Sequence, residues 1–425
     1  MRHQDARRSA LLDRPARTIR PDAAVRGLFL TFGFVIAAFF PFLALYLDGK
    51  GLSESDIGLV IAAMAVARVV LNPLWGHLSD STIGRRTALQ IGAFLSAVFG
   101  LVLAAVDGVG MIAAAGFLLA GAMVSTGPNI DAITLEHLGA ERMSDYGRVR
   151  SWESFTYAIG GLTLGWTFQQ AGIGGAMPAY ALACILVFAW SFAVPRDTPR
   201  HEAASGGGRL GTVGAVFHHA PRFWGFLAAL FLVWTGFNAA WNFIALKIAS
   251  EGGGPLLVGI GTAVGGLVEV PMMRSSSRLQ ARLGLRRVYV LGCAVYATGF
   301  LLWGSVSNPT IVSLLTVLEG VAFSMLFTTG VVVVGRLLPS SLYSTGNSVA
   351  QMVGFGLGPI IGAGIGGFVY EHMGTMTLYA GASALALSGG VVAWFALRTP
   401  ELDRPLTEAD DVPADPSIAP PEPLG

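Results

Sequence analysis

The sequence predicts an all-α membrane protein: twelve transmembrane helices in two pseudo-symmetric six-helix bundles. Three observations carry that expectation. Of 425 residues, 53% are hydrophobic and only 12% charged, where a soluble domain carries roughly 25% charge. This excludes a soluble enzyme. The apolar runs are about twenty residues long, enough to cross a ~30 Å hydrocarbon core as helix, and lack the ~10-residue alternation of an outer-membrane barrel. Finally, 24 of the 27 Lys and Arg residues fall on one side of the membrane if both termini lie there, the positive-inside pattern.

In chain order the spans cover about 26–47, 56–78, 88–106, 110–137, 150–171 and 176–195, then 222–249, 255–275, 287–305, 309–336, 341–369 and 376–398. The short polar link Gly139 to Gly147 blurs the fourth and fifth. Lys50 and Lys247 fall on the outer side, and Arg68 lies inside span two. The expected organisation is a cytoplasmic tail (1–25), an N-terminal bundle (26–195), a cytoplasmic linker (196–221) with Gly206-Gly207-Gly208, a C-terminal bundle (222–398) and a Pro- and Asp-rich tail (399–425) without fixed structure. The tail before span one has no apolar core followed by a small-residue cleavage site, so span one reads as an uncleaved start signal.

An internal repeat supports the division. Span two has Ile57-Gly58, then Arg68, then Pro73; span eight has Val258-Gly259, then Glu269, then Pro271. Each is followed by a basic loop, ending Gly84-Arg85-Arg86 or Gly284-Leu285-Arg286-Arg287. Repeats carrying polar residues at equal depth are the pattern of secondary transporters, whose substrate sits near the midplane. Cys184 and Cys293 lie in separate apolar runs and suggest neither a disulfide nor a metal site.

The loop Gly76-His77-Leu78-Ser79-Asp80-Ser81-Thr82-Ile83-Gly84-Arg85-Arg86 resembles the signature loop of the major facilitator superfamily, Gly-x-Leu-x-Asp-Arg-x-Gly-Arg-Arg. It departs at Ser81, where Arg is usual, and by one extra residue before Gly84. Leu52-Ser53, Val66-Ala67-Arg68, Asp131-Ala132, Asp145-Tyr146-Gly147-Arg148-Val149-Arg150-x-Trp152 and Val268-Glu269 are similar to the phenylpropionate permeases, relatives of the lactose and nucleoside proton symporters; Glu153 departs from the Gly expected there. The resemblance spans about 26–398 and implies a twelve-helix fold, a central cavity and rocking of one half against the other. It also makes Asp80, Arg85 and Arg86 candidates for conformational control, against a plain topological role.

A charge at mid-bilayer costs ~2.5–3.5 kcal/mol, so each one needs a cavity, a partner or a function. Arg68 is a candidate anchor for a carboxylate substrate, since a guanidinium forks onto carboxylate; the plainer alternative is a fixed ion pair, for instance with Asp131 in span four. Asp131 is read equally as substrate-binding or structural. Glu269 in span eight and Glu319 in span ten are candidate proton carriers, or permanent ion-pair partners. Glu153 with Arg148 and Arg150 suggests a gating ion pair, while Glu136 and His137 read as solvated. In span seven Trp234, Asn238, Trp241 and Asn242 share a face, with Asn238, Trp241 and Asn242 expected to line the substrate cavity rather than glue helices together. Phe39, Phe40 and Phe42 around Pro41 could hold a ring or simply pack. His218 and His219 are weak evidence for metal, and Gly354, Gly358, Pro359 and Gly362 permit close approach and bending.

The expected function is a monomeric inner-membrane permease: a proton-coupled symporter importing a small organic solute, an aromatic carboxylate first. It would use no cofactor, metal or nucleic acid, its partners being substrate, protons and the lipid bilayer. No phosphate-binding Gly-x-x-x-x-Gly-Lys-Ser/Thr loop appears. A drug or metabolite efflux antiporter and a sugar or nucleoside symporter remain open, as does a non-transporting sensor. A membrane enzyme would need a clustered nucleophile, base or metal set, and no His lies mid-span.

Overall fold

The computed structural model describes residues 21–139, 142, 145–195, 221–399 and 402. The expected tails and linker lie almost wholly outside them, as do His218 and His219. The first half comprises α1 (Pro21–Phe39), α2 (Leu43–Gly49), α3 (Glu54–Leu78), α4 (Arg85–Ala105), α5 (Val109–Met123), α6 (Thr126–Leu138), α7 (Tyr146–Ala171) and α8 (Ala176–Ser191). The second comprises α9 (Pro221–Trp241), α10 (Ile244–Ser250), α11 (Pro255–Leu283), α12 (Leu285–Ser305), α13 (Pro309–Leu314), α14 (Thr316–Leu337), α15 (Ser340–Gln351), α16 (Gly358–Met373) and α17 (Thr375–Ala396).

Five expected spans are broken or wound differently part-way. Span one breaks at Phe40-Pro41-Phe42, where Pro41 offers no N–H to continue the ladder, and span seven breaks at the corresponding Asn242-Phe243. Spans four and ten break between α5 and α6 and at Leu315, and span eleven winds as π-helix over Met352–Leu357. Among the described residues eleven helical segments are long and apolar enough to cross a membrane. The twelfth, α7, has 26 residues but carries Arg148, Arg150 and Glu153 in its first turns. One face of it packs between α1 and α11, while Phe155, 49% exposed, and Trp166, 59% exposed, face outward.

The halves repeat each other down to the backbone. Gly51 and Gly252, Gly84 and Gly284, and Gly172 and Gly374 all have positive φ, each pair about 200 residues apart. Gly84 (φ 81°) and Gly284 (φ 80°) turn the chain from the basic loops into α4 and α12, a conformation a side chain would strain. Exteriors are apolar, with Leu182 63% and Phe395 68% exposed, as a lipid-facing belt requires.

Within lipid, helices associate through close packing rather than burial from water, which favours small residues at crossings. The two halves meet along α3 with α16 and α7 with α11. A Cβ on Gly58 would lie 2.5 Å from the Ala363 carbonyl and 3.1 Å from Gly367 Cα; one on Gly165 would lie 2.7 Å from the Pro255 carbonyl and 3.1 Å from Gly259 Cα. These contacts sit at the end of the molecule opposite the arginines, here termed the glycine end. They continue inward to Val69 against Gly356 and Tyr157 against Gly266.

Gly58→Val is therefore expected to force the halves apart at the glycine end. Overpacking of this kind costs about 1–3 kcal/mol, which should appear as a lowered midpoint of thermal unfolding in detergent and loss of most transport. Gly76→Ala, whose Cβ would meet nothing within 4 Å, should leave both unchanged.

Candidate functional site

The breaks in spans one and seven face each other across the two halves. Phe40, Pro41, Trp241, Asn242, Thr262 and Thr316 line a recess between them. Asn238 and Asn242 donate their amide N–H groups to the carbonyls four residues back, Trp234 and Asn238, both at 2.8 Å. Each then keeps its second amide N–H and its amide oxygen to offer a ligand. Trp241 stacks on Phe237 at 5.9 Å. Trp234, from the same predicted face, is not on the wall: it is buried against Phe355 at 4.3 Å and beneath Gly354 and Gly358. Of the span-one phenylalanines, Phe39 and Phe42 are core and Phe40 is partly exposed.

Arg68 projects from α3 with its guanidinium 5.5 Å from the centre of the Phe40 ring. Its Nε is sealed from solvent and has no hydrogen-bond partner among the described residues. The alternative pairing with Asp131 is not made: Asp131 instead accepts a 2.7 Å hydrogen bond from the Tyr146 hydroxyl. A half-buried guanidinium whose Nε donor is unfilled is a costly arrangement and one that an anionic ligand would complete.

A second cluster gathers the carboxylates. Arg150 lies 3.7 Å from Glu153 on α7 and within electrostatic reach of Asp131, Tyr146 and Glu269. Glu269 on α11 neighbours Glu319 on α14, which is 5% exposed and meets no basic residue among the described ones. The Glu319 carboxylate rests against Gly265, where a Cβ would stand 3.2 Å from Oε2. Ser324 Oγ donates to the Glu269 backbone carbonyl at 3.2 Å, tying α14 to α11. Tyr157 and Tyr296 face the same pair of glutamates from α7 and α12. The structure thus brings Asp131, Arg150, Glu153, Glu269 and Glu319 into one neighbourhood spanning both halves, and leaves Arg68 apart from it.

Tyr157, Tyr296 and Ser324 were not singled out from sequence, and Tyr146 entered only as part of the Asp145–Trp152 run, without a role of its own. A signal for two of them exists: 146, 150, 153 and 157 follow helical spacing, so these side chains share one face of α7. Tyr296 and Ser324 become visible only when the helices are packed.

The gating candidates separate. Asp80 and Arg85 pair at 3.1 Å, and Arg85 also reaches Glu136 at 3.2 Å. Arg86 lies over the Phe192 ring at 5.5 Å, and Arg148 is exposed. Glu136 and His137, expected to be solvated, are both engaged: His137 Nε2 is 2.7 Å from Asp22 Oδ1, and Arg142 holds the other Asp22 oxygen at 3.2 Å. The two pairs close the arginine end of α6 onto α4 and α1.

This geometry can be set beside known proteins. A model of the MFS_1 like family matches residues 26–380. The maltose permease of Geobacillus stearothermophilus is 26% identical over 372 residues, covering 86% of this chain and 91% of the permease. Among solved structures, the nucleoside transporter NupG superposes with a TM-score of 0.78 at 16% identity, over 90% of this chain and 100% of that one. The D-xylose-proton symporter gives 0.66 at 15% identity, over 88% and 96%. At these identities the structural likeness establishes the fold, the major facilitator fold expected from the sequence. The family match covers most of the membrane region, and the chain belongs to the MFS_1 like family: it is a multi-pass membrane transporter of small solutes, not an enzyme.

Proposed function

We propose that the chain is a proton-coupled symporter importing a small organic solute, with an aromatic carboxylate as the preferred class. The observation that carries it is the meeting of Glu269 and Glu319 inside the membrane with, among the described residues, only Arg150 as a nearby cation. Two adjacent carboxylates in a low-dielectric site cannot both ionise cheaply, so the pair is suited to hold one proton in one state and yield it in another. Arg150, flanked by Glu153, Asp131 and Glu269, serves as the counterion that these three carboxylates can claim in turn.

The substrate class rests on Arg68 and Phe40. A carboxylate would fill the empty guanidinium donor while its ring packed on Phe40, with Asn238, Trp241 and Asn242 completing the polar and aromatic wall; Asp131, held by Tyr146 in the carboxylate cluster, stands outside that wall. This agrees with the resemblance to phenylpropionate permeases. A sugar is the second reading, favoured by the relative described as a maltose permease and by a wall of Trp and amide groups.

On the positive-inside reading the arginine end is cytoplasmic, both termini are inside, and the glycine-end closure seals the outer face. Residues 26–195 and 222–398 are the bodies that rock, and 196–221 is their tether. Asp80, Arg85, Arg86, Arg148, Arg150 and Glu153 form contacts made and broken as they do so. A single chain is taken as the working unit.

In proteoliposomes with an acidic exterior, labelled 3-phenylpropionate is expected to accumulate, with proton entry into the lumen. Glu269→Gln and Glu319→Gln should abolish that accumulation while leaving exchange across equal pH intact. Accumulation only into acidic vesicles would mean export instead, and unaltered coupling in both variants would remove the proton role from these residues.

Arg68→Gln tests the substrate class separately. Loss of a charged hydrogen bond, about 1.5–3 kcal/mol, should raise KM for the carboxylate about 10- to 100-fold. If maltose is the true substrate, the carboxylate will not be transported by either form.

A further inference from the structure

The glycine end carries two cross-half contacts of a kind the proposed cycle does not require. Glu371, in the last turn of α16, reaches the other half and accepts the Ser55 backbone N–H at 2.9 Å with Oε2. Ser55 is in the first turn of α3, where the N-cap Ser53 accepts only from the Asp56 N–H. The partner contact runs the opposite way between the halves. Gln169, near the end of α7, accepts the Leu256 backbone N–H at 3.4 Å with Oε1. That N–H opens α11, whose N-cap is Gly254 and supplies no side-chain bond. The Gln169 amide lies directly over the glycine, so a Cβ there would be 2.1 Å from Oε1.

The first turn of any α-helix presents N–H groups with no acceptor inside the helix and a positive dipole end. Here each of the two helices that cross the interface has such a donor met by a side chain from the opposite half. Gln169 and Glu371 stand about 200 residues apart, as do their targets, matching the repeat of the backbone glycines. The contacts also flank the tightest crossings: Gly367 packs on the Glu54 carbonyl beside Ser55, and Gly165 packs on the Pro255 carbonyl beside Leu256.

We propose that Glu371 and Gln169 are paired latch residues that cap the helix starts of the opposite half only when the glycine end is closed. Separating the halves strips both helix starts of their acceptors, so the latches weigh on the closed side of the conformational equilibrium. Glu371, which is charged and meets the positive end of α3, is the stronger of the two. This holds whatever the substrate and whether or not protons are coupled.

The test uses full-length protein in lipid nanodiscs, spin-labelled at Asp48 and Thr377 on opposite halves, with distances read by double electron–electron resonance. Removing an N-cap acceptor should raise the open-to-closed ratio about five-fold in Glu371→Ala, and less in Gln169→Ala. Glu371→Gln, which keeps an acceptor oxygen, should fall between Glu371→Ala and wild type. The shift should appear in transport as a changed Vmax with little change in KM. Distance distributions identical to wild type in Glu371→Ala and Gln169→Ala would overturn the proposal. Should Glu371→Ala fail to fold, Glu371→Gln and Gln169→Ala decide the matter alone.

Discussion

The structure depends on backbones coming close enough for two six-helix bodies to touch without side chains between them. Gly58 against Gly367 and Gly165 against Gly259 bring the halves together, and Gly265 against Gly320 does the same for α11 and α14, where a Cβ on Gly320 would lie 2.5 Å from the Gly265 carbonyl. The dispersion gained at such crossings is what lipid cannot outbid. The charged groups are positioned by these same crossings. Glu319 abuts Gly265, Glu269 is one turn further along α11, and α7 presents Arg150, Glu153 and Tyr157 from the other half. Were these crossings held wider, the carboxylates would belong to separate sites.

Two kinds of polar group result. The hydroxyl-bearing residues along α11 and α14 are satisfied locally: Thr316 donates to the Gly261 carbonyl at 2.9 Å, and Gln280 bridges Ser276 and Thr329. They fix the two helices as one body. The ionisable residues are under-satisfied by comparison, with Arg150 facing several carboxylates and Arg68 facing none among the described residues. A membrane protein that needed only to be stable would replace these with apolar residues at little loss. Their presence is the ground for proposing that the chemistry of transport lies there, since intramembrane charge generally marks a functional site.

The fold was legible because lipid imposes it: a run of about twenty apolar residues has one low-energy conformation, and the arginine distribution needs only counting. Repeat-related positions such as Arg68 and Glu269 were visible for the same reason. The exceptions are instructive. Helix α7 is the least lipid-like span because its inner face carries Arg150, Glu153 and Tyr157, so hydropathy is weakest where the proposed site is. The π-helical stretch after Gln351 coincides with Gly354 and runs into Gly358-Pro359, which the sequence did mark as bendable, whereas the break at Asn242 carries no Gly or Pro of its own. Partner choice was not legible: nothing in spacing tells that Asp131 turns to Tyr146 rather than Arg68, or that Glu136 meets Arg85. Such choices depend on helix rotation, and a rotation of one residue, about 100°, exchanges one set of neighbours for another.

The separation of Arg68 from the carboxylate cluster bears on how binding and proton transfer can communicate. The two sites share no contact, so a ligand on Arg68 cannot alter Glu269 by touching it. Coupling has to pass through the relative position of the halves: Arg68 is on α3, whose closest neighbour across the interface is α16, while Glu269 is on α11, which faces α7. Both helix pairs bear the same closure at the glycine end, so a change that opens one crossing loosens the other. In the proposed cycle, ligand occupancy at Arg68 and charge at the Glu269–Glu319 pair would then bias one rigid-body equilibrium from two places, and neither site would need knowledge of the other beyond that shared displacement.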